Sequence, residues 1–443
     1  MTMTAHQREE LTKAMSGTIG ILGGGPGTGK TWVIKELVID LIRRVGAHQI
    51  AIGCPTGKAA VRVSEVLAAA EPPINLRART WHSLLQGGPG GGFLFRRGNP
   101  LPYRILIGDE SSMVDTYLAT SIMRARAEGT LMLWVGDVYQ LAPVGHGAPL
   151  RDMIAAGVPY GELTQIKRNS GGIVEACAAI RTGKPWKTGE NLILHEEHGP
   201  QAQINRLLEE LRMYRGSEVD PIWDCQVMCA VNARSPLARR TLNRLLQREL
   251  NPNGDVAGTN PFHTGDKIVN TKNGMFRLVH GDTDSWVANG ELARVVDVSE
   301  RLTIAELEHP NRVIKIPRGA AKKVEEEEEA ESQSGDEDER QEATTGTGCS
   351  WDLGYALSVH KAQGSEWPIT YVILDDYAGA RRVCSREWIY TAISRAKRYC
   401  NLIGVKATAD AMCQRQAIWR RKTLLKELIL AEKARRDMLA LQL

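Results

Sequence analysis

The sequence predicts an α/β protein whose domains are built on parallel sheets, and three observations indicate this class. Short apolar runs, which are typical of buried strands, alternate with amphipathic helical patterns over the first ~165 of the 443 residues. The same alternation returns toward the C-terminus. The composition, 42% hydrophobic and 24% charged, is that of an ordinary globular protein and excludes fibrous and wholly disordered chains.

The first α/β unit spans residues 1–165. Its apolar runs predict strands at 18–23, 49–54, 103–107 and 131–135, and its periodic stretches predict helices at 31–44 and 58–70. Residues 86–102 are rich in glycine and contain two of the four phenylalanines, Phe93 and Phe95. We expect a short hairpin or an ordered loop there. A simple connector is the first interpretation of this stretch, and an exposed apolar hairpin is the second.

A second α/β unit follows and is interrupted. Its apolar runs lie at 226–231, 370–374 and 400–405, with short β-like runs between them at 266–270, 285–288, 292–298 and 312–316. We therefore interpret 260–347 as a small β domain inserted into a unit that comprises 166–259 and 348–406. Residues 407–443 predict a basic helical segment that packs on the body or binds a partner.

Charge is distributed unevenly along the chain. The net charge is +4, from 56 Lys and Arg against 52 Asp and Glu, and this bias alone is too weak to indicate a nucleic-acid partner. Residues 325–340 carry ten acidic residues and one basic residue, a net of −9, so the rest of the chain carries +13. We interpret the acidic run as a disordered, solvated loop. A role as an intramolecular mimic of nucleic acid is the alternative.

The cysteines and the hydropathy indicate a compartment. Eight cysteines are scattered without framework spacing, which predicts reduced thiols in a cytoplasmic protein, in the host cytoplasm if the chain is phage-encoded. Cys225 and Cys229 are the only close pair, and no second pair follows at zinc-ligand spacing. No apolar run approaches the length of a membrane span, so we expect no membrane partner.

A glycine-rich motif between a strand and a helix predicts a phosphate site. In the stretch GGPGTGKT the backbone N–H groups can converge on phosphate oxygens, and the helix N-terminus favours negative charge. Lys30 would reach the β and γ phosphates, and the Thr31 hydroxyl would bind Mg²⁺. The residues assigned to the nucleotide are Gly24, Gly25, Gly27, Thr28, Gly29, Lys30 and Thr31.

Two carboxylates follow the strand predicted at 103–107. We expect Asp109 to hold Mg²⁺ and Glu110 to polarise the attacking water, because adjacent acids at a strand's carboxyl end suit these two tasks. Acidic pairs in loops are common, and the pairing with the phosphate motif is what gives this one weight. Together the two motifs predict hydrolysis of a nucleoside triphosphate.

The remaining motifs, in their order, resemble those of superfamily 1 class B helicases, the branch typified by RecD and the phage Dda helicase. The resemblance covers nearly the whole chain. The matching stretches, besides the two above, are Gln7 in AHQREEL, PTGKAA at 55–60, TWHSLL at 80–85, GDVYQLAPV at 136–144, LTQIKR at 163–168, residues 242–252, SVHKAQGSE at 358–366 and YTAISRAK at 390–397.

The resemblance implies both the fold and the chemistry. It implies two RecA-like P-loop domains, with a short pin in the first and a small SH3-like β insert in the second. ATP and Mg²⁺ would be the cofactors, with adenine read by Gln7, the γ-phosphate contacted by Gln140, and charge stabilised by two arginines. Those arginines are Arg168 and Arg395, and the nucleotide set also includes Gly364 and Glu366.

The resemblance also implies a DNA path and an activity. The expected activity is ATP-dependent translocation on single-stranded DNA, 5′ to 3′, with unwinding of forked or duplex DNA and room for replication or recombination partners. Phe93 or Phe95 would wedge the fork. The backbone contacts would come from Pro55, Thr56, Thr80, His82, Ser358 and His360.

Three departures from the family pattern stand in the sequence. Gly108 replaces a bulky apolar residue before Asp109, Asn289-Gly290-Glu291 lacks the usual following glycine, and the acidic run is additional. Two other functions remain open at this point. One is a RecD-like NTPase or DNA-binding subunit of a recombination complex, and the other is an RNA helicase, since the motor motifs do not read the sugar.

Overall fold

The structure is a computed structural model that describes residues 3–87, 92–165, 171–281, 283–308, 312–319 and 348–440. Arg168 and the acidic run at 325–340 lie outside the described residues. The described strands are β1 (Ile19–Gly24), β2 (Ile50–Cys54), β3 (Arg79–Thr80), β4 (Ile105–Gly108), β5 (Leu131–Gly136), β6 (Tyr160–Leu163), β7 (Leu192–His195), β8 (Cys225–Cys229), β9 (Lys267–Asn270), β10 (Gly274–Leu278), β11 (Asp284–Val287), β12 (Leu292–Val298), β13 (Leu302–Leu307), β14 (Val313–Pro317), β15 (Trp351–Leu353), β16 (Ala356–Ser358), β17 (Trp367–Ile373) and β18 (Ala396–Ile403).

The described helices accompany these strands in chain order. They are α1 (Ala5–Ala14), α2 (Lys30–Val45), α3 (Gly57–Ala68), α4 (Trp81–Leu85), α5 (Thr116–Ala125), α6 (Pro149–Ala155), α7 (Gly172–Thr182), α8 (Pro200–Arg212), α9 (Arg239–Leu250), α10 (Ala378–Val383), α11 (Arg386–Ile393), α12 (Lys406–Gln414) and α13 (Leu425–Ala440). Over the described ranges, no helix is both long enough and apolar enough for a membrane crossing.

The first domain is a six-stranded parallel sheet in the order β3-β2-β4-β5-β1-β6. Its inner strands are buried along nearly their whole length, because helices cover both faces, and this explains why they read as continuous apolar runs. The four strands and two helices predicted for this unit are confirmed, with boundaries shifted by at most two residues. The short edge strands β3 and β6 were not predicted.

The second domain is a five-stranded parallel sheet in the order β16-β8-β17-β18-β7. The three apolar runs predicted here correspond to β8, β17 and β18. Because β8 and β16 are neighbours although more than a hundred residues separate them in sequence, the chain leaves this sheet and later returns to it.

The excursion forms a seven-stranded antiparallel sheet in the order β11-β10-β14-β13-β12-β9-β15. The sheet takes in Trp351–Leu353, so it extends past the boundary at residue 347 that the sequence suggested. Polar side chains of α9 brace its junction with the second domain. Asn243 exchanges two hydrogen bonds with the backbone of Ala356, at 2.8 and 3.0 Å, and Gln247 donates to Asp266 at 2.6 Å.

The C-terminal segment returns to the first domain. After α12, the backbone N–H groups of Ala417 and Ile418 donate to Glu387 of α11, at 3.0 and 3.2 Å. Arg421 then donates to the carbonyls of Gly145 and Gly147 in the first domain. Helix α13 packs on α6, with two of its apolar side chains, Leu425 and Ile429, against the first domain's core. The expectation that this segment packs on the body is confirmed.

The glycine-rich stretch forms a short antiparallel turn, of which residues 88–91 lie outside the described part. Leu94 N–H donates to Gln86 O at 2.9 Å, and Phe95 N–H donates to Leu85 O at 3.1 Å. The rings of Phe93 and Phe95 are half-buried against the core of the first domain, whereas Leu94 is 40% exposed. The two phenylalanine rings therefore anchor the hairpin to the first domain, and Leu94 is its exposed apolar side chain.

Trp81 explains why the neighbouring strands β2 and β4 each carry a glycine near their carboxyl end. Its ring is fully buried and lies over the backbones of Gly53 and Gly108. A Cβ at Gly108 would lie 3.1 Å from Trp81 Cζ2. The indole ring therefore occupies the space that a larger side chain at Gly108 would need.

We expect Gly53→Ala to lower the free energy of unfolding by about 1–3 kcal/mol, because its Cβ would overlap the Trp81 ring and overpacked cores lose about this much. Urea denaturation measures the change. Gly98→Ala in the hairpin is the matched control, since a Cβ there meets nothing within 4 Å. Equal stability of the two variants would contradict the packing described for Trp81.

Candidate functional site

The phosphate loop joins β1 to α2 at the carboxyl edge of the first sheet. Gly27 and Gly29 have φ angles of 74° and 87°, a region that side chains disfavour. Lys30 Nζ donates to the carbonyls of Gly24 and Gly25, at 2.8 and 3.2 Å, and Thr28 Oγ1 also donates to Gly25 O, at 2.8 Å. No side chain caps the start of α2, so its first N–H groups are available to an anion.

Gln7 reaches this loop from α1. Its side chain is 2% exposed, and Nε2 donates to Thr28 O at 3.5 Å. Its Oε1 accepts from Thr4 N–H at 3.1 Å and thereby completes the capping box that starts α1. The structure therefore places Gln7 beside the phosphate loop, with its side-chain amide hydrogen-bonded both to that loop and to the start of α1.

The acidic pair follows β4 directly. Asp109 is 4% exposed, and burial together with the neighbouring Glu110 raises its pKa to about 6. Glu110 has a left-handed backbone, with φ 49° and ψ 38°, and its N–H donates to Asp109 Oδ1 at 2.9 Å. Within the described residues, Glu110 Oε2 is buried without a hydrogen-bond partner. Strained backbone and an unsatisfied buried carboxylate are typical of functional sites.

The GDVYQLAPV loop after β5 contacts α11 of the second domain. Tyr390 Oη donates to Asp137 Oδ2 at 2.8 Å, and Leu141 N–H donates to Thr391 Oγ1 at 2.9 Å. Leu141 is itself a member of the second domain's hydrophobic core. Gln140 is 2% exposed, and its Oε1 has no hydrogen-bond partner in the part of the chain that the structure describes. Two motifs that lie 250 residues apart in sequence therefore meet across the cleft between the first and second domains.

Arg395 lies at the second domain's side of this contact. Its guanidinium is 3% exposed and donates to Thr391 O, Ser365 O and Ser394 Oγ, at 3.1, 3.3 and 3.0 Å. Two buried polar atoms on the neighbouring loop, Gln363 Nε2 and Ser365 Oγ, have no hydrogen-bond partner among the residues with described positions. The structure thus places Arg395 near the cleft but holds it on its own domain.

A cavity of about 110 Å³ separates the phosphate loop from the second domain. Gly25, Pro26 and Thr28 line one side, and Arg181, Tyr390 and Ser394 line the other. The Arg181 guanidinium lies 4.1 Å from the centre of the Tyr139 ring and pairs with Glu162. No motif marks Arg181, which sequence reasoning missed.

Arg62 is a second cation that the motifs did not reveal. Its Nη2 lies 3.2 Å from Glu366 Oε1, and its Nη1 donates to Gly364 O at 3.3 Å, so α3 of the first domain is bridged to the second. Burial opposes the charge, yet Glu366, Glu110 and Asp109 together raise the pKa of Arg62. Its acceptor Gly364 lies 302 residues further along the chain, so no local pattern marks Arg62.

The residues expected on DNA lie at strand ends of the two parallel sheets. Thr56 follows β2 and Thr80 ends β3. Each hydroxyl caps the next helix, accepting at 3.3 Å from Ala59 N–H and at 3.1 Å from Ser83 N–H. Ser358 ends β16 and accepts from Lys361 N–H at 3.4 Å. Pro55 and His360 are half-buried, and His82 is exposed.

The close cysteine pair lies on one strand. Cys225 and Cys229 are both buried in β8, and burial raises the pKa of each thiol to about 12, which keeps both neutral. Among the residues with described positions, no cluster of three or more His, Cys, Asp or Glu side chains could hold a metal ion.

Comparisons with known proteins match this arrangement. An AAA domain family model matches residues 7–146, and a UvrD-like helicase C-terminal domain model matches residues 353–403. The chain is 30% identical to the ATP-dependent RecD2 DNA helicase of Deinococcus radiodurans, over 89% of this chain and 48% of that protein. It is 27% identical to the RecBCD enzyme subunit RecD of Mycolicibacterium smegmatis, over 93% of this chain and 73% of that protein. Along most of its length the chain is therefore similar in sequence to RecD-type helicases of superfamily 1B.

Solved helicase structures show the same fold. A Pif1 helicase at forked double-stranded DNA aligns with a TM-score of 0.54 and 16% identity, covering 93% of this chain and 94% of that one. Bacteroides Pif1 bound to single-stranded DNA aligns with a TM-score of 0.53 and 17% identity, with the same coverage. The two parallel sheets fit two RecA-like domains, as the sequence predicted. The chain spans about half of the Deinococcus RecD2 helicase.

We expect the Arg62–Glu366 bridge to stabilise the apposition of the two domains. In a double-mutant cycle of Arg62→Ala and Glu366→Gln, the coupling energy should be about 1 kcal/mol, the scale of a partly screened ion pair. Free energies of unfolding from urea denaturation give the cycle. The exposed Arg435–Glu432 pair on α13 is the control and should couple more weakly. Additive Arg62 and Glu366 effects would show that the bridge contributes nothing.

Proposed function

We propose that this chain is an ATP-dependent DNA helicase, which hydrolyses ATP between its RecA-like domains and converts closure of the cleft into movement along single-stranded DNA. The observation that carries the proposal is the contact between the GDVYQLAPV loop and α11. Through it, the first domain's nucleotide motifs are hydrogen-bonded to the helix that leads into Arg395. Such a connection lets the state of the nucleotide reach the other domain.

The residues of the cleft fit Mg-ATP. Uncapped N–H groups and Lys30 suit a polyphosphate, and the half-buried Thr31 hydroxyl with Asp109 suits Mg²⁺. Buried polar atoms without partners belong to motifs on both sides of the cleft. Each such atom costs about 1–3 kcal/mol until it gains a partner, which polyphosphate oxygens and ordered water supply. These atoms are Glu110 Oε2, Gln140 Oε1, Gln363 Nε2 and Ser365 Oγ.

Each side chain then has a distinct task in hydrolysis. Lys30 leaves its two loop carbonyls to bind the β and γ phosphates, and Glu110 orients and polarises the attacking water. Bound Mg²⁺ would neutralise charge on the phosphate oxygens. Gln140 contacts the γ-phosphate. Gly364 and Glu366 approach the nucleotide from the second domain, where Glu366 already pairs with Arg62.

Arg395 completes the charge stabilisation when the domains close. Its three acceptors are a hydroxyl and two carbonyls, so no carboxylate has to be left unpaired when it turns toward the phosphate. The role of Arg168 rests on the family resemblance. Arg181, which lines the cavity beside the phosphate loop, supplies a second positive charge from the same domain.

DNA is proposed to cross the carboxyl edges of both sheets. The hydroxyls of Thr56, Thr80 and Ser358, with Pro55, His82 and His360, would contact the sugar-phosphate backbone and read no sequence. The 5′ to 3′ direction is proposed from the class B resemblance. The hairpin would separate the strands, with Leu94 as its exposed apolar tip and Phe93 and Phe95 as its anchors.

A second function, that of a RecD-like subunit, is favoured by the alignment to the mycobacterial RecBCD subunit RecD. Unwinding of a forked duplex by the purified chain alone separates the two functions. A subunit would hydrolyse ATP on DNA without separating the strands.

We expect single-stranded DNA to stimulate the ATPase and Lys30→Ala to lower turnover at least ~100-fold while DNA binding persists, because the charge on the transferred phosphoryl group loses its main partner. Lys35→Ala on the same helix is the control and should retain turnover. Steady-state ATPase assays with DNA and with RNA give both numbers. Retained turnover in Lys30→Ala would refute the assigned site, and stimulation by RNA alone would refute a DNA motor.

Arg395→Ala should bind ATP normally and lose ~10³-fold or more in hydrolysis, the range for a removed arginine finger. Fluorescent-nucleotide binding and single-turnover hydrolysis measure the two effects separately. Arg398→Ala, an exposed neighbour on β18, should behave like the unchanged protein. Unimpaired hydrolysis in Arg395→Ala would assign the role to another residue.

A further inference from the structure

Three aromatic side chains from three separate elements form a continuous row on the first domain. His82 belongs to α4, Phe93 to the hairpin and Tyr117 to the first turn of α5. The ring centres of His82 and Phe93 lie 5.7 Å apart, and those of Phe93 and Tyr117 lie 6.2 Å apart. The row therefore extends from a residue expected on DNA to one that no motif marks.

The end of the row is open to solvent. Tyr117 is 65% exposed, whereas Leu118 beside it is buried in the core. The Asp115 side chain accepts from Leu118 N–H at 2.7 Å, which caps α5 and fixes the direction in which Tyr117 leaves the helix. Phe93 is half-buried between its two neighbours, so the row has a rigid middle and an exposed end.

Positive charge lies on the same hairpin. Arg96 and Arg97 are both exposed, and the Arg96 and Asn99 backbones exchange hydrogen bonds at 2.8 and 2.9 Å that close the turn. Arg79, just before Thr80, is also exposed and donates to Tyr103 Oη at 2.8 Å. Exposed rings beside arginines are the combination that binds single-stranded nucleic acid, because bases stack on rings while phosphates meet cations.

We propose that His82, Phe93 and Tyr117 form a base-stacking surface for single-stranded DNA, and that Tyr117 carries the base nearest the hairpin. This inference rests on the proposed function and adds to it a contact with the bases. The contacts proposed for Thr56, Thr80 and Ser358 involve only the phosphates and sugars of the DNA. A stacked base beside the hairpin would hold a nucleotide out of the duplex where the strands part.

A purely structural role for Tyr117 is the competing explanation, in which its ring only covers Phe93 and steadies the hairpin. The two roles differ in what they demand of the ligand. Stacking needs a base, whereas a steadied hairpin affects any single strand, with or without bases. An oligonucleotide of abasic sites retains the phosphates and sugars and removes only the stacking partner.

The test compares binding of a thymidine oligonucleotide and an abasic oligonucleotide of equal length by fluorescence anisotropy. For the thymidine ligand, Tyr117→Ala should weaken binding about 5-fold or more, the ~1 kcal/mol lower end for one stacked base. For the abasic ligand, binding should not change. Tyr117→Phe should bind both ligands as the unchanged protein does. Tyr399→Ala, which removes a 44% exposed tyrosine on β18, is the matched control and should change neither.

Two results would overturn the inference: equal weakening on both ligands in Tyr117→Ala, which indicates a structural role, or no weakening on either. Failure of the unchanged protein to bind either ligand would instead refute the proposed function, and the inference with it. Thermal unfolding of Tyr117→Ala, expected to match the unchanged protein because the side chain is exposed, accompanies the binding data.

Discussion

The arrangement of the cleft depends on one buried contact between domains. Leu141 belongs to the first domain, yet its side chain packs in the second domain's core and its N–H donates to Thr391. Beside it, burial and the carboxylate of Asp137 raise the pKa of Tyr390 far above its usual range, so the phenol stays a hydrogen-bond donor. Separating buried hydrogen-bonded groups without new partners is costly. The two domains are therefore expected to switch between distinct sets of hydrogen bonds, and not to loosen this contact gradually.

The two domains lie close enough for charged side chains of both to interact in the cleft. Asp109 is buried and Glu110 half-buried beside it, and the two carboxylates repel each other. Lys30 offsets part of this repulsion from within the domain. Arg62 offsets a smaller part and also pairs with Glu366 of the other domain. Because Arg62 interacts with both the acidic pair and the second domain, the pKa values of the acidic pair depend on how the two domains are positioned.

Much of this could be predicted from the sequence, because strand–turn–helix motifs are local. The phosphate loop and the acidic pair follow apolar runs, so their placement at the sheet edge was predictable. The roles of three other residues could not be predicted, because each depends on a contact with a residue distant in the chain. These residues and their partners are Arg62 with Glu366, Arg181 with Tyr139, and Tyr117 with Phe93. The alternation of Phe93, Leu94 and Phe95 shows that the two rings share one side of the hairpin, but it does not show which side faces the core. Tertiary packing decides that.

The C-terminal segment has a mechanical consequence. The polypeptide passes from the first RecA-like domain to the second after β6 and comes back after α12, where Arg421 and α13 attach it to the first domain again. The two domains are thus joined at two places along the chain instead of one. Any movement that separates them widely has to detach α13 and Arg421 from the first domain, so the C-terminal segment restricts how far the cleft can open.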